Sequence, residues 1–122
     1  MASLLIIDDD PNILDSLRDI LEDVGYEVVT VTNGSLGYEQ VSLRPFHLII
    51  IDYQLPDGSG LEWAQRIHMT HPEIPLVLMT GLSAGDLDED IPGGEHPRGI
   101  EHVLTKPISP SSLIELIRNI VD

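Results

Sequence analysis

The stretch Leu48–Gly60, LIIIDYQLPDGSG, joins a four-residue apolar run to an aspartate and a loop rich in glycine and proline. Such a run is typical of a strand buried on both faces of a parallel sheet, and the proline and glycines mark the loop after it. Ser3–Ile7 is a second run of this kind, and three acids follow it, Asp8, Asp9 and Asp10. Two buried strands that end in carboxylates indicate an α/β fold with polar chemistry at one edge of its sheet.

Strand-like and helix-like segments alternate along the rest of the chain. Pro11 and the apolar residues spaced three and four apart after it predict a helix over residues 11–24, and Gly25 lies just beyond its end. The other helices are expected at 33–43, 61–70 and 109–121, and the other strands at 28–31, 47–51, 76–79 and 100–104. This alternation predicts one domain over residues 1–122, with helices on both faces of a five-stranded parallel sheet.

The segment between the fourth and fifth expected strands departs from this regular alternation. Residues 81–99 contain five glycines together with Pro92 and Pro97. Proline and paired glycines oppose a regular helix because they remove a backbone donor and raise the entropy cost of ordering the chain. The fourth of the five expected helices is therefore predicted to be short or disordered.

The composition excludes several classes of function. The 122 residues include no cysteine, which rules out disulfides, thiol catalysis and cysteine-based metal sites. The 21 acidic and 6 basic residues give a net charge of −15, so direct binding to nucleic acid is not expected. No apolar run approaches the ~20 residues that cross a bilayer, and no signal peptide is visible. No membrane contact and a cytoplasmic location are therefore expected.

Polar side chains stand directly after four of the expected strands. Asp8 and Asp9 follow the first and Asp52 follows the third, while Thr80 and Lys106 follow the fourth and fifth. Carboxylates 4 Å apart repel by about 4 kcal/mol at an effective dielectric of ~20, so such a cluster favours a bound cation or a proton. Oxygen ligands without a nearby histidine favour Mg²⁺. Metal, lysine and hydroxyl around one carboxylate suit phosphoryl transfer to that carboxylate.

Four motifs at these strand ends carry a resemblance to a known family. They are LLIIDDDP at residues 4–11, LIIIDYQLPDGSG at 48–60, MTG at 79–81 and LTKP at 104–107. Together and in this order, they resemble the receiver (response-regulator) domain of bacterial two-component signal transduction over essentially the whole chain. The resemblance implies a flavodoxin-like doubly wound sheet with strand order 2-1-3-4-5.

The resemblance also implies roles for individual residues. Asp52 would accept a phosphoryl group, and Asp9 would bind Mg²⁺ directly while Asp8 acts partly through water. Gln54 would offer its backbone carbonyl to the metal. Thr80 and Lys106 would contact the phosphoryl group, and the Lys106–Pro107 bond would be cis. These roles describe a phosphoacceptor that switches conformation and dephosphorylates itself slowly, not a turnover enzyme.

The same resemblance implies partners and leaves alternatives open. The phosphodonor would be a sensor histidine kinase or a phosphotransfer protein in a phosphorelay, the full-length chain could carry an effector domain, and the domain could form a homodimer. One alternative is a receiver-like interaction module that is never phosphorylated. A second is an aspartate-nucleophile phosphatase, but Gln54 stands where its general acid would lie. A flavin-binding protein of this fold fits less well, because the acidic first loop would repel a phosphate.

One further departure from the family falls near the end of the fifth strand. An aromatic residue usually precedes the lysine by three positions and moves inward on phosphorylation, but this chain has Val103 there. A valine cannot signal by moving a ring, because its χ1 angle is stiff and it carries no hydroxyl. Together with the composition of residues 84–99, this substitution predicts that the signal leaves either by an altered output surface or by ordering of residues 84–99.

Overall fold

The structure, a computed structural model, describes residues 1–81 and 99–121. Its helices are α1 (Pro11–Asp23), α2 (Gly34–Leu43), α3 (Gly60–Thr70) and α4 (Pro110–Val121). Its strands are β1 (Ser3–Ile7), β2 (Glu27–Val31), β3 (Leu48–Asp52), β4 (Gln54–Leu55), β5 (Gly58–Ser59), β6 (Leu76–Thr80) and β7 (Ile100–Thr105).

Five of the strands form one parallel sheet in the order β2-β1-β3-β6-β7. In chain order these are the five strands expected from the sequence, so the order 2-1-3-4-5 and the doubly wound fold are confirmed. The pairing aligns Ile7 with Ile51 and Asp52 with Met79. Because parallel strands end at the same edge, the residues that follow β1, β3, β6 and β7 are brought together.

Helices cover both faces of this sheet because alternate strand residues point to opposite faces. Every residue of β3 and β6 is buried, as expected for central strands with helices on both sides. One apolar layer joins the sheet to α2 and α3 through Val41, Leu61, Ala64 and Ile67. The other joins it to α1 and α4 through Leu14, Leu17, Leu21, Leu113 and Ile117.

The ends of the first helix follow from short sequence signals. Asp10 adopts extended backbone, and its side chain accepts a hydrogen bond from the Asn12 amide at 2.9 Å. Pro11 occupies the first turn, where its missing N–H costs no hydrogen bond. Gly25 has φ +101°, a left-handed conformation that glycine adopts without strain. These contacts hold α1 in a fixed position directly after the acidic residues that end β1.

The structure differs from the sequence prediction in the loop after β3. A continuous loop is predicted over residues 53–60, but Gln54 pairs with Ser59 and Leu55 with Gly58 in a two-stranded antiparallel hairpin. Two residues per strand are too short to show a period of two, so the pattern could not reveal the hairpin. The short or disordered fourth helix that the sequence predicts falls in 82–98, outside the described residues.

Candidate phosphoacceptor site

Two carboxylates and a lysine meet at the carboxyl edge of the sheet. The Asp8 side chain is 0% exposed and Asp52 is 5% exposed as a residue. Lys106 Nζ lies 3.1 Å from Asp8 Oδ2 and 3.3 Å from Asp52 Oδ2. One ammonium group therefore bridges two buried acids that lie on neighbouring strands.

Backbone amides also donate hydrogen bonds to the two buried carboxylates. The Asp10 amide donates to Asp8 Oδ1 at 2.9 Å. The Gln54 amide donates to Asp52 Oδ1 at 3.4 Å, a long and weak hydrogen bond. Both oxygens of Asp8 thus have close partners, whereas the contacts of the two Asp52 oxygens are longer and weaker. Of the two buried carboxylates, Asp52 is the one that can take a new partner at lower cost.

Burial and charge shift the pKa values of Asp52 and Lys106. Desolvation by burial, followed by repulsion from Asp8, raises the pKa of Asp52 above its usual value. Burial acts to lower the pKa of Lys106, but its contacts with Asp8 and Asp52 outweigh burial and raise it. Lys106 is therefore a permanent cation at neutral pH, and the Asp52 carboxylate is more basic than an exposed aspartate.

Asp9 completes a set of three carboxylates that could hold a metal ion. One oxygen from each of Asp8, Asp9 and Asp52 lies within 4.8 Å of the others, and Asp9 is exposed. A single lysine cannot neutralise three carboxylates, so the cluster keeps excess negative charge. An all-oxygen set of this size suits a hard divalent cation such as Mg²⁺.

The acids open into a cavity of about 410 Å³ at the end of the sheet. Thr80 lines the cavity and is 1% exposed as a residue. Its lining also includes Asp9, Asp52, Gln54 and Lys106. The structure thus brings together all six residues predicted for the site, because Asp8 joins the cavity residues through Lys106 and the carboxylate cluster. The Lys106–Pro107 peptide bond is cis, as predicted.

Sequence reasoning missed two side chains that shape this cavity. Ile13 lines it from the first turn of α1, and Tyr53 lines it directly after Asp52. The position of Tyr53 next to the predicted acceptor was the available signal. Val103 is half-buried and packs against the apolar layer on the α2 and α3 side, so a stiff aliphatic group fills the position where the family usually has an aromatic ring.

The family model for the response regulator receiver domain matches residues 4–118. The chain belongs to the receiver domain family. Response regulator receiver protein CpdR of Brucella abortus is 31% identical over 99% of this chain and 98% of its own length. Phosphate regulon regulatory protein PhoB of Pseudomonas aeruginosa is 31% identical over 98% of this chain, which spans 51% of that relative.

Solved receiver structures share the fold closely. A CheY-like receiver domain from Methanospirillum hungatei superposes with a TM-score of 0.85 at 30% identity, covering 98% of this chain and 92% of its own. Response regulator TrrA of Thermotoga maritima, in complex with Mg²⁺ and beryllofluoride, gives 0.85 at 27% identity and covers 98% and 99%.

This receiver domain is accordingly a component of phosphorylation-dependent two-component signalling, and its family is typically not one of turnover enzymes. Across residues 1–81 and 99–121, no helix combines the length and apolar character that crossing a bilayer requires.

Proposed function

We propose that Asp52 accepts a phosphoryl group from a phosphohistidine on a sensor histidine kinase or phosphotransfer protein. The observation that carries this proposal is the position of Asp52 at the end of a central strand, 3.3 Å from Lys106 Nζ and at the wall of an open cavity. An Asp52 oxygen forms a bond to phosphorus as the phosphorus–nitrogen bond breaks, and the electron pair returns to the imidazole.

Lys106 and Thr80 act on the phosphoryl oxygens in this proposal. The Lys106 ammonium already lies between Asp8 and Asp52, so it can hold a phosphoryl oxygen without a large movement. Thr80 lines the same cavity, and its hydroxyl group is proposed to donate to a second phosphoryl oxygen. Asp8 retains its hydrogen bond from Asp10 throughout and keeps the lysine in place.

The carboxylate cluster fits a Mg²⁺ ion. We propose Asp9, Asp52 and the Gln54 backbone carbonyl as its protein ligands, with Asp8 acting partly through water, because both Asp8 oxygens already have partners. When bound, Mg²⁺ supplies positive charge that neutralises the phosphoryl oxygens. The Thermotoga maritima relative was solved with Mg²⁺ and beryllofluoride, which supports this assignment.

The partner protein is proposed to dock beside the cavity on α1 and the segment after β7. A groove of about 610 Å³ begins at Lys106 and is lined by apolar side chains of both segments, including Ile13, Leu17, Ile20 and Ile108. A protein bound there would place its phosphohistidine next to Asp52. We also propose that the domain is located in the cytoplasm, where such a partner would meet it.

We further propose that residues 1–122 form one receiver domain, which makes no direct contact with nucleic acid or membrane. An effector domain in the full-length chain and a homodimer remain predictions. The domain promotes its own phosphorylation and a slow hydrolysis of the acyl phosphate. Gln54 follows Asp52 by two residues and cannot serve as a general acid, so we expect no rapid turnover.

Beryllofluoride with Mg²⁺ tests the assignment directly, because it mimics a phosphoryl group on a carboxylate. Fluorine NMR of the wild type should show a bound signal that disappears in Asp52→Asn and persists in Asp19→Asn, a matched change of an exposed acid on α1. Absence of a bound signal in the wild type would favour the receiver-like module that is never phosphorylated.

A further inference from the structure

The side chain of Asp57 ties the hairpin that follows Asp52 to helix α2. Asp57, at the tip between β4 and β5, accepts hydrogen bonds from the amides of Gly34 and Ser35, each at 2.9 Å. These are the first two residues of α2. Asn33 caps the next free amide, that of Leu36, at 2.8 Å. The amides of the first turn are thus shared between a local cap and a carboxylate more than twenty residues away.

Trp63 closes the same junction from α3. Its indole Nε1 donates to the Asp57 backbone carbonyl at 3.2 Å. The ring also lies directly over Gly34, where an added Cβ would come within 2.2 Å of Nε1. No side chain larger than hydrogen fits there unless Trp63 moves. Helix α2, the hairpin and α3 therefore meet at one tightly packed point.

The hairpin itself links this point to the phosphoacceptor. It begins two residues after Asp52, and its two strands pair over their whole length. Its base is closed by a hydrogen bond from the Gly60 amide to the Tyr53 carbonyl at 2.6 Å. A Cβ at Gly60 would lie 2.0 Å from the Asp52 carbonyl oxygen, so the base and the acceptor are in direct contact. The hairpin is therefore held at its base against Asp52 and at its tip against α2.

We propose that Asp57 is a positioning residue that fastens this hairpin to α2, and that the fastening couples occupancy of the Asp52 site to the α2–α3 surface around Trp63. The inference rests on the proposed function, because it needs Gln54 to present its carbonyl to the metal. With the tip fastened, Gln54 has a fixed position at the base of the hairpin. The fastened hairpin is the ligand-binding form in this proposal, and coupling is reciprocal, so loss of the fastening weakens ligand binding at Asp52.

The α2–α3 surface contains a fluorescent residue, Trp63, that can report on this coupling. Trp63 is the only tryptophan in the chain. The Arg66 guanidinium lies 4.7 Å from its ring centroid, and the Tyr38 ring lies 6.4 Å away in a tilted arrangement. The same indole donates to the Asp57 carbonyl at the hairpin tip, so a shift of the hairpin disturbs that hydrogen bond and tryptophan emission reports on the junction.

The experiment measures tryptophan emission and fluorine NMR together during titration with beryllofluoride at saturating Mg²⁺. In the wild type, both signals should change with one dissociation constant. Asp57→Ala should lose the emission change and bind beryllofluoride about 5-fold or more weakly. Asp57→Asn keeps one acceptor oxygen, which can serve only one of the two α2 amides, and should restore part of both signals.

Asn33→Ala is the matched control, because it removes a cap from the same helix without touching the hairpin. It should destabilise the domain to a similar extent and keep wild-type beryllofluoride affinity and emission change. If Asp57→Ala behaves like Asn33→Ala, Asp57 is a cap alone and the inference is wrong. If the wild type binds beryllofluoride with no change in emission, the coupling is absent although the proposed function stands. If the wild type binds none, both fail.

Discussion

Asp52 and Asp57 lie five residues apart in one loop region and have opposite environments. Asp52 is buried beside a second acid, and burial followed by the charge of Asp8 raises its pKa. Asp57 is exposed; its slight burial acts upward, but the Gly34 and Ser35 amides outweigh it and lower its pKa. An ionised aspartate therefore destabilises the fold at position 52 and stabilises it at position 57.

This difference shows that the receiver domain keeps its reactive carboxylate apart from a carboxylate that stabilises its structure. The pocket around Asp52 keeps a carboxylate with too few donors, which leaves it able to accept a cation and a phosphoryl group. The hairpin tip around Asp57 has matched donors and acceptors and needs no ligand. Substitutions in the two regions should therefore change stability in opposite directions.

Gly60 joins the two regions, and its substitution should have the largest effect on stability. In Gly60→Ala, the new Cβ would lie 2.0 Å from the Asp52 carbonyl oxygen and 2.8 Å from its carbon. Backbone atoms cannot rotate away as a side chain can, so we expect a loss of about 3 kcal/mol or more in unfolding free energy. Urea denaturation measures this loss.

The control for this substitution is Gly81→Ala, where a Cβ would meet no atom within 4 Å. Gly81 lies at the same edge of the sheet, after β6. Its stability should stay within about 0.5 kcal/mol of the wild type. Equal losses in the two variants would show that the contact between Gly60 and Asp52 does not limit packing here.

Mg²⁺ should stabilise the wild type through the Asp52 pocket. A ligand that binds only the folded state stabilises by about 2.7 kcal/mol at 100 times its dissociation constant. Thermal unfolding with and without Mg²⁺ measures this effect. Asp9→Asn should remove most of it because a ligand is lost, whereas Asp57→Asn leaves the ligands in place and should retain more of it. A Mg²⁺ effect that survives in Asp9→Asn would argue against Asp9 as a ligand.

Asp57→Ala should destabilise the domain by about 1–2 kcal/mol, the usual cost of losing a helix cap. The variant leaves the first two amides of α2 without their carboxylate acceptor. Chemical denaturation at neutral pH gives the value, and Asp57→Asn should recover part of it. If Asp57→Ala has the same unfolding free energy as the wild type, water replaces the carboxylate at no cost.

The pH dependence of this contribution has a definite sign. Because the folded pKa of Asp57 is lower than its ordinary value of 3.8, the ionised side chain stabilises the fold above that pH. The contribution is lost as the pH falls below 3.8 through the folded pKa. The stability difference between wild type and Asp57→Asn should therefore shrink on acidification. A difference that grows in acid would contradict the assignment.

Asp52→Asn should have the smallest effect and the opposite sign. Removing one buried charge relieves the repulsion with Asp8, while Lys106 keeps its ion pair with Asp8. We expect unfolding free energy to rise by about 1 kcal/mol in the absence of Mg²⁺. Asp19→Asn should change it by less than half of that. A loss of stability in Asp52→Asn would show that the lysine needs both acids.

Most of the fold could be predicted from the sequence because its signals are local. The apolar runs of β1 and β3 and the spacing in α1 predict buried strands and an amphipathic helix without knowledge of their neighbours. The ends predicted for most of these elements differ from the structure by a residue or so. The hairpin of β4 and β5 was missed because its hydrogen bonds join pairs too short to leave a pattern.

The residues of the Asp52 site were also predictable, since strands that run in parallel end at one edge. That rule places Asp8, Asp52, Thr80 and Lys106 together once the strand order is known. It does not say which acid the lysine pairs with or which oxygen stays open. Those features depend on side-chain geometry over distances of about 3 Å.

The amino-acid sequence alone determined the five-stranded sheet and the polar residues at its carboxyl edge, because periodicity and strand polarity are encoded in short stretches of chain. Only the tertiary structure decided that Asp57 caps α2 and that Trp63 covers Gly34. Those contacts join residues more than twenty positions apart, and they depend on how closely α2 and α3 pack. The residues that flank a glycine in the sequence do not indicate which side chain will pack against it in the fold.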